Sequence, residues 1–245
     1  RRCFAFFHPR MPGEPLIFVE VALVDGMAAS IQALLDETQP TRDPRTADAA
    51  IFYSISNCQK GLAGVSFGNF LIKRVADELA RELPNLKTFA TLSPIPGFRA
   101  WLDKQIAADR PDLLTAADRE ALASLIDGEV TPKAFAKLLE RKDWQEVPAL
   151  HEALKAVLTR LCARYLVKEK ERGRVIDPVA RFHLANGARI ERINFLGDTS
   201  RKGMRQSIGL MVNYRYKLDE VEANHEAYSE GRVVAHPSIV KLAKG

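Results

Sequence analysis

The stretch that decides the fold runs from residue 51 to residue 83 and reads IFYSISNCQKGLAGVSFGNFLIKRVADELAREL. Residues 49–56 are mostly apolar and are bounded by polar side chains, which predicts an interior strand of a sheet. Glycines at positions 61, 64 and 68 interrupt the next segment. Residues 69–83 then repeat apolar side chains at helical spacing, and Pro84 ends the pattern. The stretch therefore predicts a strand, a glycine-interrupted loop and a helix.

A glycine-rich loop that leads into a helix can bind phosphate, because free backbone N–H groups and the helix dipole converge there. The loop at residues 59–68 has neither the Gly-Lys-Ser/Thr ending of a P-loop nor the Gly-x-Gly-x-x-Gly spacing of a dinucleotide site. A plain glycine turn explains its composition equally well.

The flanking sequence predicts a mixed sheet with helices. Upstream, residues 3–7 and 16–24 are strand-like and enclose a turn rich in Pro and Gly, which predicts a hairpin. Downstream, residues 87–92 predict another strand. We expect the chain to leave the sheet at residues 93–98, because Pro94 and Pro96 cannot donate ladder hydrogen bonds.

Residues 111–172 read as helical throughout, with apolar stripes that no polar residue interrupts and a solvated helix end at residues 168–172. This block predicts scaffold. Asp177-Pro178 then begins a short helix that carries His183 and ends at Gly187. Residues 188–196 and 208–216 have strand composition. The remainder, from residue 219, predicts a loop and a terminal helix.

Composition narrows the class of protein. The 245 residues are 47% hydrophobic and 27% charged, close to the average of globular proteins, which excludes disordered, collagen-like and coiled-coil chains. No apolar run is long enough to span a bilayer, so we expect a soluble protein. Cys3, Cys58 and Cys162 are widely spaced. We therefore expect buried thiols in a reducing compartment, with neither a disulfide framework nor a metal site.

The excess of positive charge is concentrated in residues 174–217, which contain nine basic and three acidic residues. Such a patch suits a phosphorylated cofactor or a nucleic acid, but no nucleic-acid-binding motif accompanies it. This setting singles out His183 among five histidines, although a lone histidine on a short helix is more often structural. Ser93 is a second candidate, because a strand end can expose its hydroxyl, although a turn serine fits the spacing as well.

Six segments together resemble the catalytic domain of the malonyl-CoA decarboxylases. They occur in the family's order and cover nearly the whole chain, which makes the resemblance far more specific than a lone glycine motif. The segments are FHP and PGEPL at residues 7–9 and 12–16, FYSIS at 52–56, GLAGV and GNFLIKRV at 61–65 and 68–75, LSPIPGF at 92–98, RFHLANGA at 181–188, and GLMVNYRY at 209–216.

The resemblance implies an α+β fold like that of the GCN5-related N-acetyltransferases, a mixed sheet flanked by helices. Residues 1–245 would be one catalytic domain, with a core of residues 1–105 and 173–245 and a helical insertion at 106–172. The N-terminal helical domain that family members use for oligomer contacts would be missing from this chain. The ending Ala-Lys-Gly lacks the Ser-Lys-Leu signal of some animal members, so a cytoplasmic enzyme is expected.

The resemblance also implies the site. Ser93 and His183 would be the catalytic pair, and Ser54 and Tyr216 would be supporting polar groups near the thioester. The acyl-CoA loop would comprise Ala63, Gly64, Val65, Ser66, Phe67, Gly68 and Asn69. No metal and no organic cofactor would be needed, because the CoA thioester is itself the substrate.

The implied reaction converts malonyl-CoA to acetyl-CoA and CO2 through a thioester enolate, in fatty-acid or malonate metabolism. His183 would supply the proton, which asks for a donor whose pKa lies near the operating pH. Ser93 would bind the carboxylate, acting either as a base or only to orient it. An acyl-CoA-dependent N-acyltransferase of the same fold is the alternative. We expect a homo-oligomer, with neither a nucleic acid nor a membrane as partner.

Overall fold

The computed structural model describes residues 1–62, 67–141, 144 and 147–244, with the backbone alone for 67–70. Its strands are β1 (Arg2–His8), β2 (Met11–Val24), β3 (Ala49–Asn57), β4 (Thr88–Thr91), β5 (Ser93–Pro94), β6 (Lys170–Glu171), β7 (Arg174–Val175), β8 (Arg189–Asn194) and β9 (Met211–Arg215). A seven-stranded mixed sheet in the order β1-β2-β3-β4-β9-β5, with β8 also paired to β9, forms the centre of the described part. A two-stranded hairpin, β6-β7, is separate from this sheet.

Helices flank the sheet. The predicted α+β class, a mixed sheet with flanking helices, is confirmed. The helices are α1 (Ile31–Leu35), α2 (Phe67–Glu82), α3 (Phe98–Ala107), α4 (Ala116–Leu122), α5 (Pro132–Glu140), α6 (Pro148–Val167), α7 (Pro178–Ala185), α8 (Arg201–Ser207), α9 (Val221–Ser229) and α10 (Pro237–Lys244).

The predicted strand and helix form as β3 and α2, whereas the loop between them includes residues 63–66, which lie outside the described residues. β3 and β4 are parallel, so the chain must cross over between them, and α2 is the crossover. The buried side chains of α2 recur at helical spacing, and its charged residues lie on the opposite face. The predicted hairpin is also confirmed, since β1 and β2 pair antiparallel and β2 continues the sheet to β3. The buried residues of α2 and its C-terminal turn are Leu71, Ile72, Val75, Ala76, Leu79 and Leu83.

Helix α6 carries the predicted apolar stripe. Leu150, Leu154 and Leu161 are fully buried, and α6 packs against α3, α4, β8 and α10. The helices α4 and α5 precede it, each with a threonine N-cap, and Thr115 forms a capping box with Asp118. The division of the chain into a core and an insertion at 106–172 stays a prediction.

The prediction that the chain leaves the sheet at residues 93–98 is wrong for its first two residues. β5 pairs antiparallel with β9, with Ser93 opposite Val212 and Pro94 opposite Met211. A proline lacks only the N–H group and keeps its carbonyl, so a two-residue strand can include one. This pairing fixes the backbone at Ser93 and Pro94 and therefore the position of the Ser93 side chain.

Residues 168–172 are not a solvated helix end. α6 ends at Val167, and β6 then forms a hairpin with β7 around Arg172 and Gly173, which have positive φ angles of 51° and 81°. Two consecutive residues in this left-handed region form the tight turns that suit hairpins. Periodicity missed the reversal because a highly charged segment does not distinguish a helix end from a short hairpin.

Two further predictions are wrong. Arg160 interrupts the supposedly apolar helical block, because its side chain is buried and lies 2.6 Å from Asp118. The segment after Asp219 is not a loop up to the terminal helix. It contains α9, whose Val221, Asn224 and Ala227 are buried at helical spacing.

The three cysteines are free thiols. Cys162 is buried, as predicted, but Cys3 and Cys58 are exposed, so the prediction is wrong for these two. None of the helices in the described ranges has the length and apolar character that crossing a bilayer requires.

Candidate active site

A pocket of about 570 Å³ opens where the carboxyl ends of the parallel strands β3 and β4 meet α7. This edge is where open sheets commonly build ligand sites. Most of its walls are apolar, and the described lining includes no Lys, Arg, Asp or Glu. The described residues that line it are Ile17, Phe52, Tyr53, Ser54, Ile55, Asn57, Leu92, Ser93, Pro94, Pro178, Val179, Phe182 and His183.

Ser93 and His183 are in contact at the wall of this pocket, although 90 positions separate them in sequence. The Ser93 Oγ lies 3.2 Å from the His183 Nε2, and both side chains are buried. β5 positions the serine, and the short helix α7 positions the histidine. A hydroxyl and an imidazole at this distance can exchange a hydrogen bond or present two donors to one bound group.

Two tyrosines of the β9 segment hold the His183 ring. The Tyr216 hydroxyl lies 2.8 Å from the Nδ1, and the Tyr214 ring stacks on the imidazole with ring centroids 4.5 Å apart. Tyr216 does not line the pocket, so it supports the histidine from behind. The contact at Nδ1 and the stacking on the ring face together fix the position and orientation of the imidazole.

Burial makes His183 a neutral imidazole. The side chain is 3% exposed, and loss of hydration lowers its pKa to about 3. The expectation of a donor whose pKa lies near the operating pH is therefore wrong for this site. A neutral imidazole still has one N–H group that can donate a hydrogen bond.

Asp177 joins the segment after Ser93 to the helix of His183. Its Oδ1 accepts hydrogen bonds from the backbone N–H groups of Val179 and Ala180, which caps α7. Its Oδ2 accepts from the Gly97 N–H at 3.4 Å and from the Tyr165 hydroxyl at 3.3 Å. Burial raises the pKa of this carboxyl despite the four donors. The sequence showed Asp177 only as a helix cap.

Thr91 lies beneath Ser93 and was not a candidate from the sequence. Its Oγ1 is 2.8 Å from the Ser93 Oγ and accepts a hydrogen bond from the Tyr214 N–H at 3.1 Å. Side chains two positions apart on a strand share a face, so proximity to Ser93 was the signal that could have identified it.

The family model of the malonyl-CoA decarboxylase C-terminal domain matches residues 1–245. The chain belongs to this family. Curated relatives include mitochondrial malonyl-CoA decarboxylases of Anser anser anser, 44% identical, and Rattus norvegicus, 43% identical, each over 93% of this chain. The matches cover 46% and 48% of those proteins, so the chain spans about half the length of the curated relatives it matches.

Solved structures of the family have the same fold. Malonyl-CoA decarboxylase from Rhodopseudomonas palustris is 49% identical, with a TM-score of 0.86 over 98% of this chain and 52% of that chain. The enzyme from Agrobacterium vitis is 49% identical, with a TM-score of 0.85 over 99% of this chain and 57% of that chain.

Three of the four catalytic residues expected from the decarboxylase resemblance line one pocket: Ser54, Ser93 and His183. Tyr216 contacts His183 outside the pocket. Of the expected acyl-CoA loop, Ala63, Gly64, Val65 and Ser66 lie outside the described residues. Phe67, Gly68 and Asn69 form the first turn of α2. The described residues contain no group of three or more His, Cys, Asp or Glu side chains placed to hold a metal ion.

Among the described residues, the basic stretch at 174–217 does not surround His183, which contradicts the expected setting of this histidine. Several of its members bond to other partners instead, and the ring of His183 is enclosed by aromatic side chains and Ser93. The charge argument for His183 is therefore not supported by the structure, whereas the family resemblance points to the same residue independently. These members are Arg189 and Arg215 with Glu191, Lys217 with Glu220, and Arg192 with backbone carbonyls of Met27 and Ala28.

Proposed function

We propose that this chain carries the catalytic site that decarboxylates malonyl-CoA to acetyl-CoA and CO2. The observation that supports the proposal is the contact between Ser93 and His183 at the wall of a mostly apolar pocket, in a chain of the malonyl-CoA decarboxylase family. The thioester carbonyl accepts the electrons that CO2 leaves behind, so the substrate supplies its own electron sink.

Decarboxylation breaks the bond between the carboxylate carbon and the methylene carbon. The electron pair moves into the thioester and places negative charge on its carbonyl oxygen, which gives an enolate. A hydrogen-bond donor that is already oriented toward this oxygen lowers the barrier, because it needs no reorganisation as the charge develops. The N–H group of neutral His183 is such a donor.

His183 also supplies the proton that completes acetyl-CoA. A neutral imidazole is a weak acid, but the carbanion of a thioester is a much stronger base, so the transfer from nitrogen to carbon is downhill. Solvent then returns the proton to the ring. Ser93 orients the malonyl group in this scheme, because a buried neutral histidine does not require the serine to act as a base.

The apolar walls favour the loss of CO2. A carboxylate among Ile55, Leu92 and Val179 loses hydration and meets no cationic side chain of the described lining. CO2 is neutral, so its departure removes charge from the apolar part of the pocket. The charge moves to the thioester oxygen, where donors are available.

Several finer points belong to the same proposal. Residues 63–69 bind the CoA pyrophosphate at the start of α2, where N–H groups at a helix N-terminus favour anions. The reaction serves fatty-acid or malonate metabolism, and the protein acts as a homo-oligomer in the cytoplasm. The relatives from Anser anser anser and Rattus norvegicus are mitochondrial malonyl-CoA decarboxylases, which makes localisation a point to measure directly.

Mass spectrometry of malonyl-CoA incubated with the protein tests the activity. We expect acetyl-CoA without any added amine, whereas an N-acyltransferase needs an acceptor. Ser93→Ala and His183→Ala should each lower kcat by on the order of 10²-fold or more, the range for loss of a preorganised donor or an acid–base group.

Matched controls separate these effects from a general effect of substitution. Ser56 is exposed on β3 outside the pocket, and His8 is exposed on β1. Ser56→Ala and His8→Ala should retain wild-type kcat. The proposal fails if malonyl-CoA is stable in the presence of the protein, or if Ser93→Ala and His183→Ala both retain wild-type turnover.

A further inference from the structure

Thr91 is buried beneath the catalytic pair and touches no part of the pocket surface. It is the last residue of β4, its side chain is fully buried, and it does not line the pocket. Its Oγ1 nevertheless lies 2.8 Å from the Ser93 Oγ. A buried hydroxyl at this distance influences where the Ser93 proton points.

The sheet fixes Thr91 Oγ1 as an acceptor. β9 pairs with β4 at Ala90 and then with β5 at Ser93, so its partner strand changes between these two residues. At this point the Tyr214 N–H donates to Thr91 Oγ1. The Tyr214 N–H occupies one lone pair of Thr91 Oγ1, and the other lone pair accepts the Ser93 hydroxyl in the 2.8 Å contact.

The Tyr216 contact gives a second, independent constraint. A phenol hydroxyl is a better donor and a poorer acceptor than an aliphatic hydroxyl, which favours a 2.8 Å contact that runs from the Tyr216 O–H to His183 Nδ1. The single proton of the neutral ring then lies on Nε2, and that N–H donates toward Ser93 Oγ at 3.2 Å. The Ser93 proton is left to point at Thr91.

We propose that Thr91 is a positioning residue that selects the Nε2–H tautomer of His183. By accepting the Ser93 proton, Thr91 prevents the serine from donating to Nε2. The imidazole N–H is therefore at Nε2, on the Ser93 side of the ring at the pocket wall, where a bound acyl group could accept from it in place of Ser93 Oγ. The catalytic benefit rests on the proposed function, but the tautomer itself can be measured without any substrate.

Long-range proton–nitrogen correlation spectra of the ¹⁵N-labelled full chain report the tautomer, because protonated and unprotonated imidazole nitrogens resonate far apart. The His183 signals are assigned by their loss in His183→Gln. We expect Nε2–H in the wild type and in Thr91→Ser, which keeps the hydroxyl. In Thr91→Val the serine loses its acceptor and turns to Nε2, so the ring should shift to Nδ1–H.

Kinetics on malonyl-CoA give a second readout. Thr91→Val should lower kcat by on the order of 10²-fold, the range for loss of one oriented donor, and Thr91→Ser should restore most of it. KM should stay within about twofold of wild type, because Thr91 lies outside the pocket lining. A merely structural role would not predict a change of tautomer.

Tyr216→Phe tests the assignment without altering Thr91, and it keeps the test decisive if Thr91→Val does not fold. The serine proton still points at Thr91 in this variant, so Nε2–H should persist. The proposal is overturned by an Nδ1–H ring in the wild type, by mixed tautomers in Tyr216→Phe, or by a folded Thr91→Val that keeps Nε2–H. If the wild type does not convert malonyl-CoA, the proposed function is overturned. The spectra still determine the tautomer of His183 in that case.

Discussion

Burial of His183 should make the free energy of unfolding decrease as the pH is lowered below about 6.5. Its pKa in the folded state is about 3, against 6.5 for an exposed histidine. Because the folded pKa is the lower one, the unfolded chain binds a proton below about pH 6.5 while the folded chain does not. Stability from this group is therefore present above pH 6.5 and is lost as the pH falls toward 3.

The magnitude follows from the two pKa values. Each pH unit below 6.5 costs about 1.4 kcal/mol, so lowering the pH to about 5 removes roughly 2 kcal/mol of unfolding free energy. His183→Gln cannot take up this proton. Between about pH 7.5 and pH 5 the wild type should therefore lose about 2 kcal/mol more than His183→Gln.

Denaturant unfolding at the two pH values measures this difference, and comparison with the variant cancels every other titrating group. The exposed-site variant His8→Gln keeps His183 and should show the same extra loss as the wild type. Equal losses in the wild type and in His183→Gln, within about 0.5 kcal/mol, would refute the argument that burial holds the ring neutral. A neutral ring also predicts that kcat/KM shows no inflection from His183 near pH 6.5.

Three further substitutions test the packing around the site. Asp177→Ala should destabilise the fold by about 2–4 kcal/mol in denaturant unfolding, because it removes the α7 cap and two other hydrogen-bond donors lose their acceptor. Gly97→Ala should cost about 1–3 kcal/mol because its Cβ would lie 2.3 Å from the Tyr165 hydroxyl oxygen, and Tyr165→Phe should relieve part of this cost in a double-mutant cycle. Asp118→Ala should cost about 3–5 kcal/mol in thermal or denaturant unfolding by leaving the buried Arg160 without its carboxylate partner, and adding Arg160→Met should recover much of this cost.

Local sequence predicted the elements whose side chains follow a simple period. The strand β3, the crossover helix α2 and the stripe of α6 were all visible, because one face of each is buried and the apolar residues recur accordingly. The pattern failed at β6 and at β5. These two-residue strands exist because a neighbouring strand supplies their partners.

The candidate pair was identified by motif resemblance, and its physical setting was not predictable. The sequence suggested a basic environment for His183, whereas the folded chain encloses the ring with Phe182, Tyr214 and Tyr216. A charge count sums residues along the chain and does not record which of them pair with each other. The depressed pKa is a property of burial, so it could not be derived from that count.

The sequence by itself therefore determined the strand β3 and the helix α2, the family of the chain, and the residue types available for chemistry. Only the tertiary structure brought Ser93 to 3.2 Å from His183, placed Thr91 beneath the serine, and removed water from the imidazole. Backbone preference and apolar periodicity act over a few residues and can be seen in the sequence. Hydrogen-bond direction and desolvation depend on every neighbour of a group, and here those neighbours come from strands and helices far apart in the chain.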